Sequence, residues 1–171
     1  MCITRASYIE GKDKPVTVYK VIECHIVAKE DDQESTELMI TRKTPFRGVI
    51  LSKDILNGTV PFVAQGYSDI VGEYQDNTGK KYAKKINGGF IHTYATKQSV
   101  VKDYFQFYRP ECEKVYEKER VEVEIYECEI PAGEGYWEGL FEFIESTASK
   151  SIVFKRRLPQ EEIEMTRMTR H

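Results

Sequence analysis

Few side chains in this 171-residue chain are typed and spaced for chemistry, and His92 is the first of them. It lies in the run Asn87-Gly88-Gly89-Phe90-Ile91-His92-Thr93-Tyr94. An imidazole changes charge near neutrality, which suits it to acid–base work or to holding a ligand. Strand alternation puts Phe90, His92 and Tyr94 on one face, so the ring reads most simply as a neighbour of a packed aromatic cluster with one nitrogen bonded to backbone. The glycines ahead of it let a ligand or another chain approach the backbone closely. Cys2 would become the terminal residue on removal of Met1, and such a thiol can use its own α-amine, which titrates at about 7.7–8.0, as base. The competing reading is an inert thiol. Cys2 and His92 are the catalytic candidates if the protein is an enzyme.

Arg47 follows Pro45 and Phe46 in a turn, where a guanidinium can grip a phosphate or carboxylate through two parallel hydrogen bonds or else bind loop carbonyls. Tyr94 and Tyr136 offer ring faces, and Lys150 adds an ammonium among the hydroxyls of Thr147, Ser149 and Ser151. Arg47, His92, Tyr94, Tyr136 and Lys150 together would serve a small anionic, nucleotide-like ligand. Lys80, Lys81, Lys84 and Lys85 form the densest basic cluster, but hairpin alternation divides them between faces. Cysteines 2, 24, 112 and 128 lack a CxxC spacing and only three histidines exist, so no metal site is expected. Cys24 and Cys128 read as small buried hydrophobes. No P-loop or dinucleotide fingerprint is present, and no cofactor is expected.

The elements that must position these residues come from periodicity. "VTVYKVIECHIV" alternates, placing Val16, Val18, Ile22, Cys24 and Ile26 on one side with Lys20 interrupting it. "ELMITR" makes the next strand. Ser52 can cap a short helical turn that Asn57-Gly58 stops, and "QDNTG" joins a hairpin. Thr96 caps a helix in which Val100, Val101, Tyr104, Phe105 and Tyr108 recur at helical spacing until Pro110. In "VEVEIYECEI" the apolar phase slips between Ile125 and Tyr126, which a bulge would absorb. Two further strands, "YWEGLFEF" and "SIVFK", follow. The expected fold is α+β: a mostly antiparallel twisted sheet with one main helix, about residues 96–108, packed on it. Residues 1–158 are expected to form a single globular domain. Residues 159–171 read as a polar tail with the charge layout of a short helix but too few apolar positions to bury.

With 40% hydrophobic and 31% charged residues the chain is of ordinary globular composition. A net charge of −3 argues against general affinity for nucleic acid or anionic membranes, and no apolar window approaches the ~20 residues of a spanning helix. No secretory signal is read at the start, so a cytoplasmic setting is expected.

The Met1-Cys2 opening, "VYKVI", "TPFRG", "GGFIHTY" before a helix, "YECEIPAGEGYWEG" and "TASKSIVF" resemble, in order and over nearly the whole chain, a family of small uncharacterised proteins found in phages and mobile elements of Bacteroidetes-type bacteria. The resemblance implies action inside a bacterial cytoplasm. More faintly, "PFRG" and "GGFIHTYATKQSVVKDYF" are similar to turns and strands lining the nicotinamide dinucleotide pocket of ADP-ribosyltransferase-like folds, with Glu129, Glu138 and Glu142 available as an acid. Three function classes follow. The leading one is a phage-type accessory or counter-defence protein sequestering a small anionic ligand or a host protein. An enzyme using a nucleotide pocket or the Cys2 thiol competes with it, as does a virion or structural accessory protein.

Overall fold

The computed structural model describes residues 2–28, 38–45, 50–108 and 119–169. Its strands are β1 (Ile3–Ile9), β2 (Val16–Ala28), β3 (Leu38–Pro45), β4 (Phe62–Val63), β5 (Ile70–Val71), β6 (Tyr74–Gln75), β7 (Lys81–Ile86), β8 (Ile91–Tyr94), β9 (Glu119–Ile130), β10 (Tyr136–Phe141), β11 (Ile144–Ser149) and β12 (Ser151–Arg157). All pairings among them are antiparallel, and eleven strands share one sheet, with β4 adding a two-residue pair to β12. The sheet order is β4-β12-β9-β2-β8-β11-β10-β1-β7-β5, with β3 on β2 and β6 on β7. The mostly antiparallel sheet is as the alternation predicts.

The expectation of one main helix does not hold. Among the described residues three helical segments occur: α1 (Lys53–Leu56), α2 (Lys97–Asp103), which continues as a π-helix over Tyr104–Tyr108, and α3 (Gln160–Met168). Ser52 and Thr96 cap α1 and α2 as expected, accepting from the Ile55 and Ser99 amides at 3.3 and 3.1 Å. The final segment forms a short helix, the element its charge layout suits, and it is anchored by more burial than its composition suggests. Its single buried apolar residue, Ile163, suffices because α3 is short and lies against α2 and Leu158 rather than spanning the sheet. No helix among the described residues is long and apolar enough to cross a membrane.

Both faces of the central strands are covered, and alternation distributes them. Val18 and Ile22 of β2 join Tyr126, Cys128 and Ile130 of β9 and Ile152 and Phe154 of β12 in one core. Tyr19 and Val21 point oppositely, with Ile125, into a second core closed by Val100, Val101 and Ile163. Each fully buried valine or isoleucine contributes about 1.5–3 kcal/mol. A third core, Ile3, Ala6, Ala83, Ile86, Trp137 and Ala148, lies around β1, β7 and β10.

This two-sided burial explains the apolar phase slip in β9. No bulge occurs there on the β2 side: the β2–β9 register runs unbroken from Val16↔Ile130 to Val27↔Glu119. The irregularity falls in β12 instead, where Phe154 pairs with Cys128 but Arg156 pairs with Glu127, leaving Lys155 as the extra residue. A bulge reverses the facing of everything after it. Arg157 is thereby turned toward the side of Tyr126, and Arg156 toward Glu127 and α3.

Candidate functional site

Those of the candidate residues that are described do not converge on one pocket. His92 is 7% exposed. Its Nε2 lies 2.8 Å from the Asn87 carbonyl, which requires Nε2 to carry the proton and leaves Nδ1 a buried atom without a hydrogen-bond partner. Burial, reinforced by the nearby Lys20 charge, pulls the imidazole pKa down to about 4. The ring is neutral at pH 7. Lys20, the charged residue within the apolar face of β2, donates to the His92 carbonyl at 2.6 Å, and desolvation pulls its amine down to about 8. Lys150 sits at the same corner. Its ammonium lies 4.1 Å from the Phe90 ring centre, donates to the Gly89 carbonyl at 2.6 Å and bonds the Ser68 hydroxyl. His92 and Lys150 thus brace the two ends of one glycine turn. Gly89 has φ +77°, and a Cβ there would collide with the Tyr67 carbonyl.

The aromatic candidates are packed. Tyr94 is 1% exposed in the core under α2, with its hydroxyl bonded to Asp103, whose carboxyl burial holds above its ordinary value. Tyr136 belongs to the first core. Arg47 lies outside the described residues. Cys2 is partly exposed. The three available acids are scattered: Glu129 pairs with Lys155 at 3.5 Å, Glu138 is on β10, and Glu142 is in the β10–β11 turn.

Two arrangements escaped sequence reading. The first is an ionic cluster inside the first core's edge. Glu124, 3% exposed, accepts from Lys43 Nζ at 2.6 Å and Cys24 Sγ at 2.8 Å, and pairs with Arg157 at 3.0 Å; Lys43 also reaches the Tyr126 hydroxyl at 3.4 Å. Burial pushes the Glu124 pKa upward, but the hydrogen bonds from Cys24 and Lys43 and the Arg157 charge outweigh it and hold the carboxyl below its ordinary value. The Cys24 thiol is pushed up to about 12, first by burial and then by its bond to Glu124. Burial also raises the Cys128 thiol. Neither thiol is a nucleophile at neutral pH, since the thiolate is the reactive form. The cluster's hydrogen bonds are internally matched, which makes it a structural lock.

The second is a cleft of about 500 Å³ between α2 and α3, within the ~300–1,000 Å³ range of small-molecule sites. α2 and its π-helical extension contribute Gln98, Val101, Lys102, Phe105 and Gln106, while α3 and its end contribute Thr166, Arg167 and Thr169. Short π-helical stretches occur frequently at functional sites. The Arg167 guanidinium lies 4.2 Å from the Phe105 ring centre. The two helices are held together on another side by Glu162, which accepts from Lys97 at 2.6 Å and from both terminal nitrogens of Arg156 at 2.8 Å. These partners bring its carboxyl pKa down to about 2, Arg156 contributing most. A smaller basin of about 360 Å³ on β1, β10 and β11 sets Glu138 and Glu145 against Arg5, so its lining charge is net negative.

Among the described residues no group of three or more His, Cys, Asp or Glu side chains is placed to hold a metal ion. No protein-family model, curated protein or solved structure matches the chain.

Proposed function

We propose that the protein is a binding factor that sequesters a small anionic ligand in the cleft between α2 and α3. One observation carries this reading: among the described residues, Lys102 and Arg167 are the only charged ones lining the cleft, and neither is ion-paired there. Two unneutralised cations lining one cleft repel unless an anion or solvent screens them. Arg167 stands in the last turn of α3, whose end carries about half a negative charge; two full positive charges in the cleft exceed what that end offsets. Phe105 braces the guanidinium, so less freedom is lost when it grips an oxyanion. The raised thiols and the neutral, backbone-bonded His92 favour binding over turnover. The setting, a phage or mobile-element accessory in a bacterial cytoplasm, rests on the sequence resemblance alone.

A second reading, docking to a host protein, draws on Phe143. It is 91% exposed at the tip of a two-residue hairpin, and both it and Glu142 have positive φ, 68° and 46°, where Asn-Gly is ordinarily used. An aromatic residue kept in that strained and fully exposed position suits a contact made with another molecule.

A thermal-shift panel of inorganic phosphate, sulfate, mono-, di- and cyclic nucleotides and nicotinamide dinucleotide separates the two readings. A ligand at 100 times its Kd stabilises the native state by about 2.7 kcal/mol. The cleft reading requires a shift in the wild type that Arg167→Ala and Lys102→Ala each reduce and Lys150→Ala, at the Gly89 turn, does not. A flat panel, with a host protein retained by wild type and lost on Phe143→Ala, would establish the docking reading instead.

A further inference from the structure

The cleft's hydrogen-bond polarity narrows the ligand class, on the reading that the cleft is the anion site. Among the described residues four lining side chains offer donors: the cations of Lys102 and Arg167 and the amides of Gln98 and Gln106. Thr166 and Thr169 line it too, but their protons are committed. The Thr166 hydroxyl donates to the Glu162 carbonyl at 2.8 Å, and that of Thr169 to the Met165 and Thr166 carbonyls at 3.2 Å. A hydroxyl has one proton to give and two lone pairs to offer, so both threonines can only accept from a ligand. We infer that the ligand is a phosphate monoester that also carries N–H or O–H donors, as a nucleoside monophosphate does, with its phosphate at Lys102 and Arg167 and its donors at Thr166 and Thr169.

Charge and size agree with this assignment. Two cations match the charge of roughly −1.5 to −2 on a phosphate monoester near neutrality. A bare phosphate would occupy only a small part of about 500 Å³ and would leave the wall of Val101 and Phe105 uncovered. Val101 and Phe105 supply the apolar wall that a ring or sugar face would cover.

The test is calorimetric titration of the full chain with adenosine monophosphate, inorganic phosphate and adenosine, on wild type, Thr166→Val and Thr166→Ser. Adenosine monophosphate should bind at least about tenfold tighter than inorganic phosphate. Thr166→Val should lower its affinity about three- to tenfold, the effect of one hydrogen bond, without changing inorganic phosphate binding, and Thr166→Ser should restore it. If adenosine monophosphate and inorganic phosphate bind equally and Thr166→Val changes neither, the donor-bearing ester is wrong while the anion site stands. If neither anion binds, or adenosine binds as tightly as its monophosphate, the anion reading falls and this inference with it.

Discussion

Lowering the pH from 7 to 5 should destabilise the protein through His92. A group whose folded pKa is depressed below its unfolded value leaves the unfolded state holding more protons over the interval between the two, so stability rises with pH there and is lost on acidification. For His92 the interval runs from 6.5 down to about 4. At pH 5 the unfolded imidazole is almost fully protonated and the folded one almost fully neutral, which corresponds to about 2 kcal/mol. The cause is geometric: a ring 7% exposed, bonded through Nε2 to the Asn87 carbonyl and lying near the Lys20 charge, cannot take a second proton without losing solvation it has no means to replace. Urea melts at pH 7 and 5 should show His92→Gln, which does not titrate, losing about 2 kcal/mol less than wild type over the same step. An imidazole that titrates near 6.5 in the folded protein by NMR, or equal losses in the two proteins, would refute the burial argument and return His92 to the acid–base candidates.

Three other perturbations address the rest of the molecule. Glu124→Ala should cost about 3–5 kcal/mol by stranding Lys43, while Glu124→Leu combined with Lys43→Met should recover most of that in denaturant melts; an equal loss in both would mean the cluster does not act as an ionic lock. Phe143→Gly should stabilise by about 0.5–1 kcal/mol, the ~1–2 kcal/mol relief of a left-handed residue less the greater entropy glycine loses on folding, and a destabilised variant would show that the ring makes contacts within the chain. Alkylation at pH 8 should leave Cys24 and Cys128 unmodified in the folded protein and label both in urea, as their raised pKa values and burial require; rapid native labelling of either would reopen thiol chemistry.

Much of the local architecture is legible in the sequence because it depends on near neighbours. The alternation of β2, the caps at Ser52 and Thr96 and the stop at Asn57-Gly58 are set by residues within a few positions of one another. What stays hidden depends on distant partners. Glu124 is one of eight glutamates between residues 111 and 129 and nothing near it in sequence marks it out, since its partners Lys43 and Cys24 come from 81 and 100 positions away. Arg157 reaches it only because of the bulge at Lys155, which no local signal marks. The burial of Ile163 likewise needs α2 already in place. The cleft joins side chains of residues 98–106 to those of 166–169, so neither half has a motif of its own. Conversely, the aromatic and histidine run around His92 is conspicuous in sequence because a strand covered on both faces is uniformly rich in such residues.

The most direct measurement is an amide-resolved NMR titration of the full chain with adenosine monophosphate. Shifts should concentrate in residues 98–106 and 166–169, saturate with a single dissociation constant and weaken in Arg167→Ala. Saturable shifts centred instead on the Asn87–His92 turn and Lys150, or no saturable shift at millimolar ligand, would contradict a ligand site between α2 and α3.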